Sequence, residues 1–204
     1  MIVIIDYGMG NLGSIYNMLR KISVKSLITS SIEEIEKANK LILPGVGAYD
    51  NGMINLERLG LIPVLNHKVN GQHTPILAIC LGMQLIAKRS EEGELNGLGW
   101  IDAEAVRFRF DLSNKDLKIP HMGWNTINAF QNSPIFQDLY PDTRFYFVHS
   151  YHVKCNDESN VISHTHYGFD FTSAVQKYNI YGVQFHPEKS HKFGMKLLAN
   201  FAEI

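Results

Sequence analysis

The fold is decided by the stretch Ile76-Leu77-Ala78-Ile79-Cys80-Leu81-Gly82-Met83-Gln84-Leu85. Pro75 precedes it, and the residues up to Ile79 form a continuously apolar run. Such a run is typical of a strand that is buried on both faces, as in a parallel sheet covered by helices. Cys80 therefore lies where a buried strand turns into a helix.

Strand and helix signals alternate through the first half of the chain. The sequence predicts strands over residues 2–6, 24–29, 40–43 and 75–79, and helices over 12–21, 32–39, 51–58 and 62–68. The second of these helices follows the capping box Ser31-Ile32-Glu33-Glu34. Strands that alternate with helices form a parallel sheet through right-handed crossovers, so we expect an α/β fold.

The second half of the chain is richer in strand signals. Runs of β-branched and aromatic residues predict strands over residues 103–110, 144–149, 151–155, 161–166, 172–177 and 180–184. Several of these runs are too close together for helical crossovers, which indicates an antiparallel extension of the sheet. A last helix is predicted over 191–201, and we expect residues 1–204 to form a single domain.

The composition excludes several classes of function. Hydrophobic residues make up 45% of the 204 residues and charged residues 19%, which is typical of a globular domain. A net charge of −1 gives no attraction to nucleic acid or to an anionic membrane. The longest apolar stretch, residues 75–81, is far shorter than the ~20 residues of a membrane span.

The N-terminus and the cysteine content predict a cytoplasmic location. Residues 1–6 are too short and lack the basic flank of a signal peptide, and they predict the first strand instead. The two cysteines, Cys80 and Cys155, are too few for a disulfide scaffold in a chain of this size. A reducing compartment is the simpler expectation.

The turn at Cys80 has the features of a nucleophile elbow. Such a turn needs small residues two positions before and after the nucleophile, and Ala78 and Gly82 occupy them. A helix N-terminus favours the thiolate, and the N–H of Leu81 would be placed to donate to an oxyanion. A buried, inert structural cysteine fits the local segment equally well.

A second segment, His186-Pro187-Glu188, follows the last predicted strand. Pro187 favours an extended backbone at His186, and residues two apart on an extended segment share one side. An imidazole beside a carboxylate is a base with the group that orients it, so Cys80, His186 and Glu188 are a candidate catalytic triad. The ordinary alternative is a surface histidine near a surface glutamate.

The turn Leu43-Pro44-Gly45-Val46-Gly47-Ala48 ends the third predicted strand. A glycine-rich turn can present backbone N–H groups, and the carboxyl edge of an α/β sheet is where ligands bind. The alternative is a turn with no function beyond reversing the chain.

A dinucleotide fingerprint, G-x-G-x-x-G, occurs at residues 8–13 after the first strand. The fingerprint also needs an acid ~20 residues further on, at the end of the second strand. That strand ends in Thr29-Ser30-Ser31, so a tight turn is the favoured interpretation. A dinucleotide-binding oxidoreductase is kept as a remote alternative.

Histidines and a cysteine recur at a spacing that raises the question of a metal. His149, His152 and Cys155 are three residues apart, and His164 and His166 form a second pair. Residues three apart on one strand point to opposite faces, and no closed set of four ligands emerges. We therefore expect no metal and no cofactor.

Three segments together carry a family resemblance. Pro44-Gly45-Val46-Gly47, Cys80-Leu81-Gly82-Met83-Gln84 and His186-Pro187-Glu188 resemble the class I triad glutamine amidotransferases. Residues 6–12, 120–125, 148–151 and 182–190 are similar to the glutaminase subunits of imidazole glycerol phosphate synthases. The resemblance covers essentially the whole chain.

The resemblance implies a flavodoxin-like three-layer α/β fold, with a mostly parallel central sheet and an antiparallel extension in the second half. It implies that Cys80 attacks the side-chain amide of glutamine, while His186 protonates the departing ammonia and then activates water. The implied oxyanion hole uses Leu81 and the Val46-Gly47 turn. The residues implied to hold the amino-acid end of glutamine are Gly47, Gln84, Ser150 and Tyr151.

The resemblance also implies a partner, a separate (β/α)8 cyclase subunit that receives the ammonia. That partner makes imidazole glycerol phosphate for histidine and an aminoimidazole carboxamide ribotide. The residues implied to face it are Asn11, Met122, Trp124 and Lys189. A catalytically silent module that only binds a partner is a third hypothesis.

Two features depart from the family pattern. Ala78 stands where the family usually has glycine, although its methyl group is small enough for the elbow. The segment His191-Lys192-Phe193-Gly194 is bulkier and more basic than the family pattern. It resembles paralogues that supply ammonia for amidine formation in surface-polysaccharide sugars, which is the alternative to the histidine pathway.

Overall fold

The computed structural model describes residues 1–111, 116–130 and 132–204. Within them, the strands are β1 (Ile2–Ile5), β2 (Ser26–Thr29), β3 (Lys40–Leu43), β4 (Ile76–Ile79), β5 (Arg89–Ser90), β6 (Ala103–Arg107), β7 (His121–Thr126), β8 (Asn128–Ala129), β9 (Arg144–His149), β10 (Tyr151–Cys155), β11 (Val161–His166), β12 (Asp170–Lys177) and β13 (Ile180–Val183). The α-helices are α1 (Leu12–Lys21), α2 (Ile32–Glu36), α3 (Tyr49–Arg58), α4 (Leu61–Asn66), α5 (Leu81–Leu85) and α6 (His191–Glu203).

The parallel part of the main sheet has the strand order β2-β1-β3-β4-β13. This order is that of the flavodoxin-like doubly wound fold, in which ligands bind at the carboxyl ends of the strands. β4 is an interior strand of this part, between β3 and β13. The prediction of an α/β fold from the run at residues 75–79 is confirmed.

The antiparallel extension begins at β12, which pairs with β13. The sheet then continues through β10, β6 and β5, while β11 pairs with β12 and with β8. β7 and β9 form a separate antiparallel pair. The predicted extension in the second half is therefore confirmed, and it is divided between two sheets.

Helices cover both faces of the parallel strands, which gives three layers. Side chains alternate along β1, so that Val3 and Ile5 join one core and Ile2 and Ile4 join the other. The first core includes Ile35, Leu56 and Leu65 from α2, α3 and α4. The second core includes Ile15 and Leu19 from α1 and Leu197 from α6.

Several boundaries differ from the predictions. The second helix ends at Glu36 rather than Asn39, although the Ser31 hydroxyl accepts the Glu34 N–H as its capping box requires. The fourth helix continues as a π-helical turn over His67–Gly71. β7 was not predicted, because Gly123 and Asn125 have low strand propensity and tertiary pairing with β9 overrides it.

No helix among residues 1–111, 116–130 and 132–204 is both long enough and apolar enough to cross a membrane.

Candidate active site

Cys80 lies at the turn between β4 and α5. Its backbone has φ 54° and ψ −107°, a strained conformation for a side chain other than glycine. The turn depends on Gly82, where an added Cβ would lie 2.0 Å from the Leu43 carbonyl oxygen. Ala78 is fully buried between Leu43 and Gly182 in the sheet register, so its methyl group does not disturb the elbow.

His186 reaches the same edge of the sheet because β13 lies beside β4. The Cys80 N–H donates to the Val183 carbonyl (2.8 Å), and the His186 N–H donates to the Tyr146 carbonyl (2.9 Å). His186 is extended, at φ −104° and ψ 95°, as the following proline predicts. Its Nδ1–H donates to Glu188 Oε1 at 2.7 Å, and both side chains are almost fully buried.

The electrostatics favour a charged imidazole. Burial opposes protonation, but the Cys80 thiolate and the Glu188 carboxylate outweigh it and raise the pKa of His186 to about 10. The Nε2 atom of His186 is buried without a hydrogen-bond partner among the described residues. A buried N–H donor beside a sulfur nucleophile can deliver a proton to a leaving group.

A cavity of about 420 Å³ opens over these residues. The sequence-predicted site residues that line it are Val46, Gly47, Cys80, Leu81, Gln84, Ser150, Tyr151, His186 and Lys189. Glu188 lies behind His186, at the far side of the imidazole from Nε2. The fold thus brings together residues from four separate segments of the chain.

The backbone N–H of Leu81 already has a partner. It donates to the Gly45 carbonyl at 3.3 Å, across the turn that follows β3. Gly45 is tightly enclosed, since a Cβ there would lie 2.6 Å from the Tyr7 hydroxyl and 2.8 Å from the Leu81 Cβ. Gly47, at φ 113°, holds a backbone conformation that favours glycine.

Two of the predicted substrate-binding residues, Gln84 and Tyr151, contact one another at the cavity wall. The Gln84 amide nitrogen donates to the Tyr151 carbonyl at 3.2 Å, which ties α5 to β10. Glu92 also lines the cavity and was not predicted, because nothing in its local sequence marks it. Its carboxylate accepts the Tyr49 N–H (3.0 Å), and burial raises its pKa.

A second residue missed from the sequence is Gln184. It is fully buried and lies two residues before His186, so strand alternation places the two on one side. That alternation was a signal that could have identified it. Its amide nitrogen lies 3.7 Å from the Cys80 sulfur.

The residues predicted to face a partner lie on an exposed surface. Met122 and Trp124 are 61% and 43% exposed and alternate on the outer side of β7. The Trp124 ring stacks on His191 (5.6 Å) and lies beneath the Arg144 guanidinium (5.9 Å). Asn11 and Lys189 are also exposed, and Lys189 lies at the cavity mouth.

The prediction that His149 and His152 point to opposite faces of one strand is wrong. His149 and His152 belong to different strands, and both rings contact Phe108, at 5.3 and 4.8 Å between centroids. The turn at Ser150 brings them to one side, so they do not point apart. No cluster of histidine, cysteine or acidic side chains suited to a metal is found in the part of the chain that the structure describes.

Comparison with known proteins agrees with this geometry. The family model for class-I glutamine amidotransferases matches residues 3–204. A Methanococcus maripaludis protein named imidazole glycerol phosphate synthase subunit HisH 2 is 59% identical over 201 residues, which are 98% of each chain. A Pseudomonas aeruginosa protein of the same name is 48% identical over the whole of both chains.

Solved structures with low sequence identity share the fold. A glutamine amidotransferase superposes with a TM-score of 0.77 at 18% identity, over 100% of this chain and 98% of that one. PurLQS from Thermotoga maritima gives a TM-score of 0.76 at 16% identity, over 99% and 97%. The matches in sequence and fold show that the chain belongs to the class-I glutamine amidotransferases and, among them, to the HisH family.

Proposed function

We propose that this chain is the glutaminase subunit of an imidazole glycerol phosphate synthase. It hydrolyses glutamine at Cys80 and passes the ammonia to a (β/α)8 cyclase subunit, which makes imidazole glycerol phosphate and an aminoimidazole carboxamide ribotide in histidine biosynthesis. The observation that supports this most is the shared cavity of Cys80 and His186, with Glu188 bonded behind the imidazole. The names of the 59% and 48% identical relatives support the acceptor.

The reaction follows from the charges at the site. The Cys80 thiolate adds to the side-chain amide carbon of glutamine, and the protonated His186 gives its Nε2 proton to the departing ammonia. A thioester and neutral His186 remain. His186 then takes a proton from water, whose oxygen attacks the thioester and releases glutamate. Glu188 keeps the imidazole oriented and stabilises its charge at each step.

The oxyanion of each tetrahedral intermediate needs N–H donors. We assign this role to Leu81 and to the Val46-Gly47 turn, which line the cavity beside Cys80. Because the Leu81 N–H donates to Gly45 in the free chain, the turn has to shift before that donor is available. The free subunit should therefore turn over glutamine slowly.

The amino-acid end of glutamine carries a carboxylate and an ammonium group. We assign the ammonium to Glu92, whose carboxylate lines the cavity. The remaining substrate contacts in this proposal are Gly47, Gln84, Ser150 and Tyr151.

The partner is proposed to cover the exposed strand face that carries Met122 and Trp124, together with Asn11 and Lys189. This surface supports the proposal because Lys189, one of its residues, also lines the cavity from which ammonia would leave. Residues 1–204 are proposed to act as a single catalytic domain in the cytoplasm. The family match over residues 3–204 supports the first point, and the free thiols of Cys80 and Cys155 support the second.

The test is the variant Cys80→Ala, assayed for glutamate release with the cyclase present. We expect activity to fall by at least ~10³-fold, since a methyl group cannot form the thioester. Cys155→Ala is the matched control, because Cys155 is equally buried but burial raises its pKa to about 12 and it lies outside the cavity. Undiminished glutamate release from Cys80→Ala would rule out the proposed nucleophile.

The acceptor is tested separately by pairing the chain with each candidate cyclase. We expect glutamine turnover to rise when the histidine-pathway cyclase carries its substrate. Stimulation only by a cyclase of surface-polysaccharide synthesis would move the chain to the alternative pathway while leaving the glutaminase assignment intact.

A further inference from the structure

Gln184 is a buried polar residue beside the nucleophile that the mechanism above does not use. It follows β13 directly, and its backbone N–H donates to the Ser173 carbonyl at 2.9 Å. Its side chain is completely shielded from solvent. A primary amide buried in this way needs partners for both its oxygen and its nitrogen.

The structure provides a partner at each end. Gln184 Oε1 accepts from Gln84 Nε2 at 3.3 Å, and Gln184 Nε2 donates to the Cys80 sulfur at 3.7 Å. The neighbours determine which way round the amides lie. Gln84 Nε2 also donates to the Tyr151 carbonyl (3.2 Å), so the nitrogen of Gln84 faces two acceptors and the nitrogen of Gln184 is left facing the sulfur.

We propose that Gln184 is a hydrogen-bond donor to the Cys80 thiolate and stabilises it together with His186. This rests on the proposed function, in which Cys80 is the nucleophile. Hydrogen bonds to an ionised acceptor are stronger than neutral ones, and here water cannot compete because the amide is fully buried. Gln84 strengthens the donor by holding the Gln184 oxygen, which polarises the amide toward the sulfur.

Other titratable groups act on Cys80, line its cavity or lie behind His186, and a substitution at Gln184 leaves these side chains in place. They are Tyr7, Glu92, His149, Tyr151, His186, Glu188 and Lys189. A change in the ionisation of Cys80 on substituting Gln184 alone therefore reports the amide.

The experiment measures the rate of Cys80 alkylation by iodoacetamide against pH, in a Cys155→Ala background so that one thiol remains. Gln184→Met keeps the length and volume of the side chain but removes the donor. We expect its alkylation profile to move to higher pH by about one unit, with glutaminase kcat/KM lowered roughly 10- to 100-fold. A purely structural role would leave the pH profile in place.

Two further variants provide a second test of the donor and a matched control. Gln184→Glu retains the shape and puts a carboxylate oxygen against the sulfur, so its profile should move at least as far. Ser173→Ala removes a neighbouring buried hydroxyl that bonds Ser163 at 2.8 Å and should leave the profile unchanged. Circular dichroism and thermal unfolding establish which variants are folded.

A folded Gln184→Met or Gln184→Glu protein with the parent alkylation profile would overturn the proposal. Alkylation requires no glutamine and no partner. Failure of this inference is thus distinguishable from failure of the proposed function, which would appear as glutamate release by Cys80→Ala.

Discussion

At the scale of single residues, the site depends on charged side chains that are buried away from water. His186 and Glu188 expose almost none of their side chains, so their mutual bond at 2.7 Å is not weakened by solvent. Burial alone would keep His186 neutral, and its pKa is raised to about 10 because the thiolate and carboxylate outweigh burial. Cys80 and Glu188 together are therefore what keeps the buried imidazole charged.

Replacing the carboxylate tests this dependence. Glu188→Gln preserves the shape of the side chain but cannot stabilise an imidazolium, so we expect kcat for glutamine hydrolysis to fall about 10²-fold or more. Glu104→Gln is the control, because its ion pair with Arg89 is on the surface and should not affect turnover. Equal kcat values for Glu188→Gln and the parent would contradict the assigned role of Glu188.

At the scale of elements, the β4–α5 elbow sets the position of Cys80, the proposed nucleophile. The backbones of this turn and of β3 approach so closely that there is no room for a side chain at Gly82. A Cβ added there would lie 2.0 Å from the Leu43 carbonyl oxygen. Gly13, in the first turn of α1, has nothing within 4 Å of the corresponding point. The surroundings of Gly82 therefore exclude any larger residue, whereas those of Gly13 have room for one.

Alanine substitutions at Gly82 and at Gly13 should have opposite effects on stability. Gly82→Ala forces a backbone shift, and we expect it to lower the free energy of unfolding by about 2 kcal/mol or more and to remove activity. Gly13→Ala should raise the free energy of unfolding by up to about 1 kcal/mol, since alanine is the better helix former. Urea unfolding with a glutamate-release assay measures both. Full activity and stability of Gly82→Ala would show that the elbow tolerates a Cβ.

At the scale of the whole molecule, a cluster of histidines and aromatic rings joins the small sheet to the main one. His121 on β7 contacts His149 on β9 through a 3.1 Å bond between ring nitrogens. His149 Nδ1–H donates to the Tyr151 carbonyl (2.7 Å), so its other nitrogen must accept from His121. Protonation of His149 would remove that acceptor, so this hydrogen bond favours the neutral form of His149.

The cluster makes stability depend on pH. Burial lowers the pKa of His121 and of His152 to about 4, below the ordinary value of 6.5. Because the folded-state values are depressed, the unfolded chain binds more protons between pH 6.5 and pH 4. The stability these residues contribute is therefore complete above pH 6.5 and is lost as the pH falls toward 4, at most about 1.4 kcal/mol per pH unit for each histidine.

His152→Phe is the variant that tests this. The His152 ring packs on Phe108 (4.8 Å), and its Nδ1 is buried without a partner among the described residues, so phenylalanine should fit. Glu91 and Lys154 act on His152 with opposite signs and do not change the direction. We expect the variant to lose less unfolding free energy than the parent between pH 7.5 and pH 5 in urea titrations. An identical loss of unfolding free energy in the variant and the parent would contradict the assigned role of His152.

The main sheet could be predicted from the sequence because periodicity is local. The alternation of strands and helices up to Ile79 predicted the parallel sheet, and the residues around Cys80 predicted the elbow. β7 could not be predicted, since its pairing with β9 comes from a distant segment. Glu92 and the occupied N–H of Leu81 were also beyond prediction, because both depend on contacts across the sheet edge.

The sequence by itself therefore determined the α/β class, the family, and the residue types that can act as nucleophile, base and orienter. Those properties are carried by short segments whose spacing and side chains can be read along the chain. Only the tertiary structure decided that Cys80 and His186 share a cavity, because their distance depends on β4 and β13 being neighbours. It also placed the Gln184 amide at the sulfur. Strand alternation puts Gln184 on the side of His186, but its hydrogen bond to Cys80 depends on a contact between distant segments.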